Sequence, residues 1–144
     1  MAPFYWLSGG SSLGMVMGAL AVNLGSVLSC LAIARRRGGT PLVVATLVAF
    51  LLVVRTLGPE FLGDDWNLTI TVLPYALLAF LTCPMLAGEM WAPPAAAFVA
   101  SFLVQTHIGF LATAVPLLAL GAGALAVQAW RSPGPPEERR RHLG

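Results

Sequence analysis

Apolar residues fall in long blocks along this chain, and polar residues gather in the short gaps between them. The first block, residues 13–34, has the length of about 20 residues that a helix needs to cross a hydrocarbon core of about 30 Å. Arg35-Arg36-Arg37 and Gly38-Gly39 follow at once, so the first span is expected to end there. A second span is expected over 41–57, with Arg55 snorkelling toward the headgroups at its end. Gly58-Pro59, Glu60, Gly63 and Asp64-Asp65 then read as a loop.

The third expected span is 68–87, and Pro74 is expected to kink its first turns, which neighbouring helices can tolerate. Gly88-Glu89 and Pro93-Pro94 bracket a tight turn. The remaining apolar stretch is too long for one crossing. Gln105-Thr106-His107, followed by Gly109, divides it into spans over 94–107 and 109–130. The tail, 131–144, is rich in Pro and charge and cannot bury enough apolar area to fold by itself, so disorder is expected there. The pattern therefore predicts an all-α, polytopic transmembrane helix bundle of about five spans.

Composition agrees with lipid as the solvent. The chain is 58% hydrophobic and 10% charged, with a mean hydropathy of +0.82, against about 25% charged in a soluble domain. All eight basic residues are Arg, a usage that suggests a GC-rich bacterial genome. Arginines follow the first block and fill the tail, and basic loops stay in the cytoplasm. An even number of spans must then separate the two clusters. Five spans satisfy this, with the N-terminus extracytoplasmic and the C-terminal tail cytoplasmic in the cell membrane. The basic residues do not interleave with exposed aromatics, so nucleic acid is not an expected partner. Phosphate-binding loops, dinucleotide fingerprints and metal-ligand spacings are missing from the sequence, which implies neither cofactor nor metal. Cys30 and Cys83 sit inside apolar blocks and read as small buried core residues.

This topology collects Arg55, Asp65, Asn67, Gln105 and His107 on the extracytoplasmic side as a candidate substrate-binding set. Asp64-Asp65 could hold a divalent cation, because hard cations prefer carboxylate oxygen; a solvated turn explains the pair as well. Polar residues inside an apolar stretch should face protein, water or substrate. His107 could donate a proton or bond a phosphate, or it could cap a helix break by pairing with a backbone carbonyl. Arg55 has the planar fork that suits a lipid phosphate, with a snorkelling interface residue as the plainer reading. Asp65 and His107 are expected to close neighbouring antiparallel spans at the same side, about 10 Å apart, where they could flank one ligand. Gly14 and Gly18 form a small-xxx-small pair, open either to packing inside the chain or to a partner or second copy. The remaining expected partner is membrane lipid.

Three stretches together resemble actinobacterial multi-spanning glycosyltransferases of the C-type architecture. They are Ala2-Pro3-Phe4-Tyr5-Trp6-Leu7, Asp65-Trp66-Asn67 with Leu73-Pro74, and Phe102-Leu103-Val104-Gln105-Thr106-His107-Ile108-Gly109-Phe110. The resemblance implies a polyprenyl-phosphate sugar used at the outer membrane face, with an acidic residue in the first outer loop as base or metal ligand. Nothing in residues 1–12 is acidic, and Leu68 stands where the pattern continues with Pro. The family's proteins are several times longer. The resemblance thus implies an internal fragment or truncated relative that is inactive alone, with catalytic residues unknown. The alternative is a small non-enzymatic membrane protein that acts by helix packing with a partner or oligomer.

Overall fold

A computed structural model describes residues 12–58 and 70–131 of the chain. These residues are all-α, with four helices and no strand among them. In chain order they are α1 (Ser12–Leu57), α2 (Val72–Leu86), α3 (Ala92–Thr106) and α4 (Leu111–Arg131), with a single 3-10 turn (Ile108–Phe110) before α4. Of the tail expected over 131–144, Arg131 ends α4; residues 132–144 and the acidic loop holding Asp64, Asp65 and Asn67 lie outside the described residues.

α1 breaks where the sequence puts the end of the first helix, at Gly38-Gly39. The helix runs past residue 34 through Arg35-Arg36-Arg37, because Arg is a good helix former. The break falls at Gly39, whose backbone is non-helical (φ 61°, ψ −154°), two residues before Pro41. Only glycine occupies this region without strain. α1 is therefore two limbs, 12–38 and 40–57, with a defined joint.

The first limb carries the packing. Its buried positions include Ala19, Asn23, Ser26, Cys30 and Ile33, spaced alternately four and three residues apart. That is the seam of a helix lying along its neighbour. The seam residues are mostly small, which lets backbones approach closely. Gly14 and Gly18 are buried as well, in keeping with the packing reading of the pair. The outward face carries Leu13, Met17, Leu20, Leu24 and Leu28. In the second limb Thr46 is buried, while Leu42, Val44, Leu47, Val48, Leu51 and Leu52 are exposed.

α2 is the hub, packing against α1, α3 and α4. Its Leu78, Leu81 and Met85 form one core with Ala92, Ala96, Ala100 and Leu103 of α3, Ile33 of α1 and Ala114 of α4. Pro74 lies in the first turn of α2, where a missing N–H costs nothing. The proline inside the helix is Pro84, near the other end. Cys83, expected in the core, is exposed, whereas Cys30 is buried. Consecutive helical residues point about 100° apart, and the core contact of α2 falls on Leu81, Thr82, Pro84 and Met85 on either side of Cys83.

Two helical stretches, Leu13–Leu57 and Ile108–Arg131, are long and apolar enough to cross a membrane. In their most apolar parts only 6% and 11% of the residues are buried. The core helix of a water-soluble protein would be mostly buried, so the apolar faces here are turned outward, which points to a membrane location. α2 and α3 have 15 residues each, about 22 Å of helix, short of the hydrocarbon core. Helix length therefore supports two long apolar helices and two short ones, and by itself it does not support about five spans.

Candidate functional site

The polar end of α3 comes first, because the sequence singles it out. The helix ends at His107, whose backbone is extended (φ −151°, ψ 118°). The His107 N–H still donates to the Leu103 carbonyl at 2.9 Å. Its ring then turns forward, and Nδ1 accepts from the Gly109 N–H at 3.1 Å. A nitrogen that accepts cannot carry the proton, so this bond fixes the tautomer protonated at Nε2. His107 thus caps the helix break, with an N–H as its partner rather than the carbonyl expected from sequence. A Cβ on Gly109 would lie 2.8 Å from Nδ1, so glycine is what allows the ring to fold over the turn. Phe110 meets the ring edge-on at a centroid distance of 6.2 Å and stacks obliquely on Tyr75 of α2 at 5.7 Å.

Gln105 and Thr106 are also satisfied locally. Gln105 donates to Ser101 Oγ one turn back, and Thr106 donates to the Phe102 carbonyl. Arg55 is exposed near the end of α1 and makes no ion pair among the described residues. The structure joins His107 to the 105–106 turn by sequence adjacency, and it brings Arg55 into no hydrogen bond with either Gln105 or His107. Asp65 and Asn67, and with them the expected pairing of Asp65 with His107, lie outside the described residues.

The opposite end of the bundle holds an arrangement that the sequence did not signal. The turn between α2 and α3 closes at Gly88 (φ 87°), with Gly88 N–H donating to the Met85 carbonyl and Glu89 N–H to the Pro84 carbonyl. Gln128 of α4 reaches across and donates to the free Leu86 carbonyl at 2.7 Å. Glu89 uses both carboxylate oxygens: Oε1 accepts from Arg37 of α1 and Oε2 from Trp91 Nε1. These contacts place the arginines that close the first limb, the α2–α3 turn and the end of α4 at one end of the bundle.

From this end a groove runs between the first limb, α2 and α3. It consists of two adjoining cavities of about 390 and 440 Å³ that share Ser29, Leu77, Phe98 and Val99. Arg36 and Trp91 line it at the arginine end, and Phe102 and Pro74 at the other. Along α1 it extends from Ala21 to Arg36, about 22 Å. Its walls are apolar apart from the serines and Arg36. Each lining residue is ordinary in its own segment, and only the folded arrangement makes a groove of them. Comparison with known protein families, with curated proteins and with solved structures finds no match to this chain, so its own geometry is what supports a reading of its function.

Proposed function

We propose that this chain is a small multi-spanning membrane protein that acts through helix packing and lipid contact rather than through catalysis. The observation that carries this reading is the outward turn of the apolar faces of α1 and α4, combined with local satisfaction of the polar residues at the end of α3. A catalytic acid or base has to reach a substrate proton. Here Nδ1 of His107 already accepts a backbone N–H.

The reading extends to topology. Arg35, Arg36 and Arg37 lie at the same end of the bundle as Arg131 at the end of α4, and basic segments are held in the cytoplasm. The two limbs of α1, together with α2, α3 and α4, then make five membrane-embedded segments, with the N-terminus outside and the tail inside. The 15-residue helices α2 and α3 fit this arrangement if the bilayer thins locally around them. The test is membrane fractionation. The expressed chain should remain in the pellet through an alkaline carbonate wash and leave it only with detergent. Release by carbonate would reject the proposal.

A sugar-transfer role rests on the resemblance of three segments, two of which fall partly or wholly outside the described residues. Turnover with a polyprenyl-phosphate sugar, measured on the purified chain, is the observation that would favour it over the non-enzymatic reading.

A further inference from the structure

We infer that the groove between the first limb of α1, α2 and α3 holds one acyl chain of an anionic phospholipid, with the lipid phosphate on Arg36. The inference rests on the membrane reading above and adds to it a particular ligand and a particular residue.

Charge is the first argument. Glu89 is the single acidic residue among those described, and both its oxygens are engaged, by Arg37 and by Trp91. Arg35 and Arg36 have no acidic partner among the described residues. Arg36 alone of the three arginines lines the groove. A guanidinium at the mouth of an apolar channel calls for an anion, and its planar fork fits phosphate bidentately.

Shape is the second argument. The groove is a channel, charged at one end and apolar along its length, which matches an amphiphile and not a free ion. Its run of about 22 Å along α1 exceeds one leaflet's share of a hydrocarbon core of about 30 Å, so a lipid chain can lie in it over its full depth. Phe98, 77% exposed, stands at the rim beside Val99, where it can close over a chain laid against Leu77. Ser26, inside the groove, already donates to the Val22 carbonyl at 2.8 Å, so it places no unmet polar demand on an apolar occupant.

Trp91 lines the groove and can report its occupancy. In the full-length chain carrying W6F, W66F and W130F, Trp91 is the remaining tryptophan. Phosphatidylglycerol with brominated acyl chains, titrated into detergent micelles of this variant, should quench Trp91 saturably. Brominated phosphatidylcholine should need a roughly tenfold higher mole fraction, the expected loss when one charge-assisted contact is missing. Arg36→Gln should raise the requirement for phosphatidylglycerol by the same factor, and Arg55→Gln should leave it unchanged. Ser29→Phe, at an exposed position lining both cavities, should fill the groove and remove the saturable component for either lipid.

Equal quenching by the two lipids, or an Arg36→Gln response like that of the parent, would overturn the inference. Displacement of the lipid by glycerol phosphate would overturn it too, by showing a free-phosphate site. These outcomes are separate from failure of the membrane reading, which would appear as carbonate release of the chain. Loss of lipid selectivity in a chain that stays in the membrane would reject the groove alone.

Discussion

Gly88 and Gln128 form one joint at the level of single residues. Gly88 has a left-handed backbone (φ 87°), and a Cβ there would lie 2.3 Å from Gln128 Oε1. Alanine would therefore face two costs: about 1 kcal/mol or more for the backbone, and displacement of the side chain that bonds the Leu86 carbonyl. Gly88→Ala should destabilise the chain by about 2 kcal/mol in reversible unfolding from detergent into SDS. Gln128→Leu, which removes the hydrogen bond alone, should cost about 1 kcal/mol. Because both changes touch one contact, the double variant should cost less than the sum of the single ones; full additivity would show that Gln128 does not serve this turn. At the other end of the bundle, His107→Leu removes the acceptor for the Gly109 N–H and should cost about 1 kcal/mol by the same measurement. An unchanged midpoint would show that the cap contributes nothing.

Among the helices, α2 and α4 meet at Gly121, where a Cβ would lie 2.7 Å from Met85 Cε. Met85 is flexible and can yield to one methyl group, so Gly121→Ala should change stability by less than about 1 kcal/mol. Gly121→Leu needs more room than a thioether can cede and should cost about 1–3 kcal/mol through overpacking. Equal effects of the two substitutions would mean that the helices do not approach there. This scale also decides what could be read from sequence. The breaks near Gly39, at the 87–91 turn and at His107 were legible, because glycine, proline and clustered polar residues interrupt an apolar run for local reasons. The end of the apolar block at residue 34 did not mark the end of the helix, since charge does not stop a helix; the glycines after the arginines did. Which face packs inward was also hidden: in an apolar chain both faces look alike, so Cys83 read as core although it is exposed. Of the candidate site, the Gln105–His107 turn was legible as a local polar interruption. The groove was not, because Arg36, Leu77 and Phe98 become neighbours only through tertiary packing.

For the whole molecule, the proposed orientation gives a direct test by reporter fusion. A reporter active only outside the cytoplasm should give strong signal when fused after Gly63 and none after Arg131; signal after Arg131 would reject five segments. The purified chain offered polyprenyl-phosphate sugars should transfer none, and measured turnover would return the acidic loop to consideration as a source of the base. The joint at Gly39 has a consequence for how such a molecule enters the bilayer. An unbroken helix of 46 residues would be a rod of about 69 Å, more than twice the thickness of the hydrocarbon core. Inserted straight, it would strand either Leu13, Met17 and Leu20 or Leu47, Leu51 and Leu52 in water. A single glycine conformation lets one continuous run of lipid-compatible sequence be handed to the membrane as two pieces, the second free to turn back as the first comes to rest. Gly39→Ala, disfavoured in that conformation, should therefore act during biosynthesis more than on the finished fold: it should yield a mixture of orientations for everything after residue 40, seen as partial signal at fusion sites where the parent gives all or none.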